Sequence, residues 1–218
     1  MTGRAPILAS ALIADSISAL GIPGGALAGA SFQIVLERIQ TKRLDVARSI
    51  LLSEIRRGDR FLSDPEIEEW VYIYYRYFRA AHEGAAHRNL RLMARVIAGQ
   101  IEFRSLFADE FLRYADILAT LRREEVVLLA TVCRFLTDPE TTNEDKKHGK
   151  AFAMAGPVLI PSLFRTDQDF EAVAASLTRT GYIVPTPALG GMNYGITAAF
   201  EALNKLARLD TLSEPDMS

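Results

Sequence analysis

The chain of 218 residues carries a single cysteine, Cys133, and only three histidines, His82, His87 and His148. One thiol closes no intramolecular disulfide, and without a C-x-x-C pair the common thiolate metal centres are excluded. Charge of one sign is lacking too: 25 Lys and Arg against 27 Asp and Glu leave a formal net charge of −2. Such a balance supplies no global attraction for nucleic acid or acidic membranes, so either role needs a local patch. Local charge is scarcest at the amino end, where Arg4 and Asp15 are the only charged side chains up to Leu36.

Catalytic motifs are missing as well. There is no G-x-x-x-x-G-K-[ST] loop, and the glycines at 21–29 lack the lysine and preceding strand that cradle phosphates. No G-x-S-x-G elbow exists. His82-Glu83 followed by His87 evokes the zinc-protease pattern, but the histidines are five residues apart with Gly84 between them. That spacing turns them about 140° around a helix, so they cannot share a metal as an i, i+4 pair does. Asp109-Glu110 and Glu124-Glu125 fall at helix starts, where the macrodipole accounts for paired acids. Cys133 lies in an apolar run and reads as a buried, inert thiol. No residue is therefore assigned a catalytic, cofactor-binding or metal-ligating role.

What is present is the composition of a soluble globular protein, 49% hydrophobic and 24% charged. The apolar stretch 6–36, broken by Gly21-Ile22-Pro23-Gly24-Gly25, admits three readings. As a signal sequence it would use Arg4 and a cleavage site at Ala26-Leu27-Ala28, but Asp15 interrupts its apolar region. As a membrane hairpin it has the close-packing pair Gly25 and Gly29, yet each arm falls short of the ~20 residues that span a bilayer. The favoured reading is a helical hairpin buried in the protein or between subunits.

Helical spacing of Val35, Ile39, Val46, Ile50 and Leu51 predicts a helix over 31–57 with Gly58 as its stop. Ser63-Asp64-Pro65-Glu66 opens the next helix, which runs to about His82 and ends near Gly84. Further helices are expected at 85–102, 107–120 and 122–136, the last apolar nearly all round and so the most buried. Residues 137–150 read as an exposed polar linker. At 151–164, Pro157 and Pro161 leave room only for short helical pieces. A helix at 166–180, a strand at 182–184, a loop at 185–191, a strand at 192–196 and a helix capped by Thr197 complete the chain.

Two surfaces stand out. Trp70, Tyr72, Tyr74, Tyr75, Tyr77 and Phe78 crowd little more than two turns. Trp70, Tyr74 and Phe78, with Ile67 and Val71, are expected in the core. One stripe cannot bury every ring, so Trp70, Tyr72 and Tyr77 are candidate partner contacts. Arg88, Arg91 and Arg95 recur at i, i+3, i+7, with Arg76 and Arg79 nearby. They form either a solvated face paired with acids such as Glu102 or Asp109, or a site for an anion or acidic partner.

Leu177-Thr178-Arg179-Thr180-Gly181-Tyr182-Ile183 and Tyr194-Gly195-Ile196-Thr197 resemble the second half of a winged helix. A DNA reader needs a basic helix for the groove, whereas 166–180 carries Asp167, Asp169 and Glu171 with Arg179 its only base, which favours packing or protein binding. Leu92-Met93-Ala94-Arg95-Val96-Ile97-Ala98 and Leu118-Ala119-Thr120-Leu121-Arg122-Arg123-Glu124-Glu125-Val126-Val127-Leu128-Leu129, with that wing-like segment, resemble bacterial Abi-alpha-type proteins, a helical family associated with abortive phage infection. The chain departs from the family pattern in lacking a glycine after Thr197. The resemblance implies a defence-related interaction protein with no catalytic residues to carry over.

The expected fold is thus mainly α: an apolar helical hairpin at 1–36, a helical bundle at 37–136, a linker at 137–150, a winged-helix-like module at 151–210 and a tail at 211–218. The expected function is a non-enzymatic, cytoplasmic interaction or scaffold protein with a protein partner or a second copy of itself. A membrane-associated effector inserting 6–36 and a winged-helix regulator are the alternatives.

Overall fold

The computed structural model describes residues 30–55, 64–103, 106–137, 147–188 and 191–212. The apolar segment up to residue 29, the stop at Gly58, the cap at Ser63, most of the polar linker and the tail from 213 onward lie outside them. Among the described residues the chain is predominantly helical, with one antiparallel hairpin near its carboxyl end. The helices are α1 (Ala30–Ile55), α2 (Asp64–Glu83), α3 (His87–Phe103), α4 (Ala108–Leu118) and α5 (Arg123–Thr137). After these come α6 (Lys147–Leu159), α7 (Asp167–Leu177), β1 (Ile183–Ala188), β2 (Gly191–Ile196) and α8 (Ala198–Ala207). This is the mainly α fold, with a small helix–hairpin–helix module, that the sequence pattern predicts.

Two compact units divide the chain, Met1–Val46 and Ala47–Ser218. In the first, the described residues are the opening turns of α1, where the Thr41 hydroxyl donates to the Glu37 carbonyl at 2.8 Å. The second holds everything that follows.

Helix ends in this unit follow local chemistry. Gly84 adopts φ 95°, its N–H donates to the Ala81 carbonyl, and the Ala85 N–H reaches back to Ala80 at 2.9 Å. These two bonds close the end of α2, and the positive φ suits glycine. At α7, Thr166 and Asp169 cap reciprocally, at 3.2 and 3.1 Å. At α8, Thr197 accepts the Phe200 N–H, while its hydroxyl donates to the Gly181 carbonyl and ties the hairpin base to the helix start.

The centre of the unit is built around α5 and α3. Val126, Leu128, Leu129, Ala130, Val132 and Cys133 are essentially inaccessible, as the all-round apolar pattern of α5 predicts. Helix α6 and the turn at Leu209–Thr211 pack on α5; α8 packs on α3. The second pairing is unusually close. A Cβ on Gly99 would collide with backbone atoms of Leu206, the Cα at 2.7 Å among them, so only glycine fits.

Two expectations need correction. Pro157 does not break the helix around it: α6 runs from Lys147 to Leu159 and passes through it. The proline sits in the last turn, so only two residues of helix follow the ladder bond that it removes. The start of α6 also takes the last residues of the supposed linker into a helix. Likewise β1 continues through 185–188, which the sequence pattern assigns to a loop, with Pro185 opposite Tyr194 and Pro187 opposite Met192. Both prolines have the same strand parity, and a two-stranded sheet leaves one edge of β1 unpaired, where a missing N–H is tolerated.

Candidate functional site

The twenty residues of α2 divide into two faces, and not as the sequence reading expects. Ile73, Tyr77, Ala80 and Ala81 are buried, together with Glu66. Tyr77, a candidate partner contact, is wholly inaccessible, and its hydroxyl donates to the Ala47 carbonyl at 3.0 Å. Burial pushes its phenol pKa well up, with Glu54 adding to the shift and Arg91 opposing it. Ile67, Val71 and Tyr74, expected inside, are instead 50%, 59% and 46% exposed. Small Ala80 and Ala81 let the neighbouring helices approach, leaving space for one large ring, Tyr77, rather than for the bulkier Trp70–Tyr74–Phe78 stripe.

That displaced stripe is a coherent outer surface. Trp70 and Phe78 are half-buried at its edge, and the ring centroids of Tyr74 and Phe78 lie 4.3 Å apart. Tyr72 and Tyr75 extend it, 64% and 70% exposed. Ile67, Val71, Tyr74 and Phe78 follow a 4-3-4 spacing, the seam that one helix offers another. The acids before it, Glu66 and Glu69, reach across to cap a different helix. Glu66 accepts the Leu106 N–H and Glu69 the Ala108 N–H at the start of α4, whose own N-cap, Phe107, offers no side-chain acceptor.

The arginines of the row have different surroundings. The Arg95 Nη1 donates to the Arg208 carbonyl and to Thr211 Oγ1, and its Nε lies 3.8 Å from Glu54. Glu102, one of the expected acids, binds Arg208 at 2.7 Å. Arg91 is half-buried near Tyr77. Arg88 lines a cleft of about 400 Å³ where α2 turns into α3, with Arg76, Asn89 and Arg122. Sequence reasoning places Arg76 nearby but misses Asn89 and Arg122, which arrives from the loop before α5. The available signal is Ala85-Ala86-His87-Arg88, a helix start with bases and no capping side chain.

A second polar cluster lies between α5 and α7. Glu125, read from sequence as a dipole acid, is fully buried and joins α5 to the end of α7. It accepts the Arg122 N–H at 2.9 Å, the Ser176 hydroxyl at 2.7 Å and both terminal nitrogens of Arg179. Burial acts to raise its pKa, but Arg179, the Arg122 N–H, Ser176 and the Arg122 guanidinium together hold it down to about 2. Cys133 is buried, and burial with nearby Asp210 pushes its thiol up, away from thiolate chemistry. His82 and His87 are exposed on either side of the Gly84 break. Among the described residues no three His, Cys, Asp or Glu side chains are grouped to hold a metal ion, and no helix is long and apolar enough to cross a membrane.

No protein family, curated protein or solved structure matches this chain.

Proposed function

We propose that the protein is a non-enzymatic interaction module that docks an apolar-faced helix of a partner protein on the outer face of α2. The observation that carries this reading is the exposed seam Ile67, Val71, Tyr74, Phe78, widened by Tyr72 and Tyr75. A monomer gains nothing by leaving such a stripe in water, whereas tyrosines in that setting supply apolar area and a hydroxyl that needs no desolvated charge. The seam spans about 16 Å, three turns, which matches the anchors of one docked helix. In this reading the phage-defence role implied by the family resemblance is exercised by partner capture. The wing-like module contributes packing, since Arg179, the lone base of the 166–180 segment, is engaged by Glu125.

The test is photocrosslinking in the cells that make the protein, with p-benzoylphenylalanine at position 75 and, as a control, at exposed position 172. Adducts at 75 to a helical segment of one other protein, lost on Val71→Glu, are the expected result. Adducts to the same chain alone, or equal yields at both positions, would overturn it.

A further inference from the structure

The cleft between the end of α2 and the start of α3 is built for an anion that also offers a hydrogen-bond donor. Three guanidinium groups line it, Arg76, Arg88 and Arg122. Arg122 is engaged by Glu125 at 3.2 Å and the lining carboxylate, Glu83, by Arg79 at 2.8 Å, which leaves Arg88 as the cation with no acidic partner among the described residues. Arg76 spends its Nε and Nη2 on Asp116, but its Nη1 is buried with no hydrogen-bond partner. The Nε of Arg88 is likewise buried and unpartnered. Leaving such groups dry and unbonded costs about 1–3 kcal/mol each, more for charged ones, and a bound ligand would relieve that cost.

The backbone adds to this field. Asn89 and Leu90 both donate to the Ala86 carbonyl, which makes Ala86 the residue that opens α3. Alanine has no side chain to cap the first N–H groups, and the first turn of α3 contains no acid, with His87 and Arg88 placed there instead. A cationic side chain such as Arg88 at the positive end of a helix dipole is unfavourable unless an anion joins it.

Asn89 sets a second requirement. Both hydrogens of its amide are committed, to the Ala119 and Leu121 carbonyls at 3.1 and 2.8 Å, which fixes the amide's orientation. Its Oδ1 is therefore an acceptor, and it is buried without a donor on a residue only 2% exposed. The cleft volume of about 400 Å³ exceeds what an inorganic anion fills and falls in the range of small-ligand pockets.

We infer that this cleft binds a small phosphate monoester bearing hydroxyl groups, with the phosphate held by Arg88, Arg76 and the start of α3 and a hydroxyl donating to Asn89 Oδ1. The site is separate from the α2 docking face, and its test does not depend on that face.

The full-length chain would be titrated calorimetrically with glycerol 3-phosphate, inorganic phosphate and glycerol, at ionic strength matched with chloride. Glycerol 3-phosphate should bind about tenfold or more tightly than inorganic phosphate, with glycerol alone silent, since charge and donor are both needed. Arg88→Gln removes no hydrogen bond and should weaken binding by about tenfold or more, while Arg123→Gln, at an exposed neighbour outside the cleft, should not. In the unmodified protein, the Asn89 side-chain amide and the backbone amides of 87–89 should shift on NMR titration, whatever the variants do. Failure of glycerol 3-phosphate to bind, equal affinity for inorganic phosphate, equal losses in the two variants, or shifts elsewhere than at 87–89 would each overturn the assignment.

Discussion

Glu125 concentrates several functions in one side chain. It caps its own helix through the Arg122 N–H and holds α7 through Ser176 and Arg179. Removing the charge strands these donors. Breaking a buried pair costs about 3–5 kcal/mol, and because Arg179 and Arg122 are partly solvated the expected loss for Glu125→Gln is about 2–3 kcal/mol. The sign with pH follows from the depressed pKa. A carboxyl at about 2 in the folded chain and near 4.3 unfolded stabilises fully above the higher value and progressively less as pH falls toward the lower. Urea unfolding at pH 7 should separate variant from parent by the full amount, and at pH 3 by about half of it. A gap that is the same at both pH values would show that shape, not charge, matters at this position.

At the scale of elements, closeness of approach decides more than hydrophobicity does. Gly99 allows α3 to touch α8, whereas Gly156, in α6, has open space around its Cβ position. Gly99→Ala should therefore cost at least about 2 kcal/mol by forcing the helices apart, and Gly156→Ala should gain up to about 1 kcal/mol from helix propensity. Melting curves of the two variants, moving in opposite directions, check both. The same consideration explains what sequence periodicity could and could not reveal. Helix positions and the burial of α5 were legible, because 3.6-residue spacing and cap residues carry that information locally. The inward face of α2 was not. Two stripes of comparable apolarity compete there, and the winner is set by Ala80 and Ala81 meeting helices whose distance the sequence does not encode. Helical spacing aligns Arg88, Arg91 and Arg95, but the groups that meet Arg95, namely Glu54, the Arg208 carbonyl and Thr211, come from other elements and are not legible from spacing.

Across the larger unit, residues 208–212 act as a strap over α3 and α5. Leu209 and Leu212 are buried, Arg134 donates to the Asp210 and Leu212 carbonyls, and Arg95 donates to the Arg208 carbonyl and Thr211. A chain ending at Ala207 should lose about 4 kcal/mol from the two leucines alone, read as a lowered urea midpoint. Loss of far less would mean that the strap follows the core instead of completing it.

The contact of α3 with this strap also orders events in time. Arg95 and its acceptor at Arg208 are 113 residues apart along the chain. During synthesis the face of α3 around Gly99 emerges long before α8 and the strap that cover it, and such long-range closure is slow. For that interval the nascent protein carries an open groove in place of its finished interior. A product truncated before Ala198 would present that groove to chaperones and proteases.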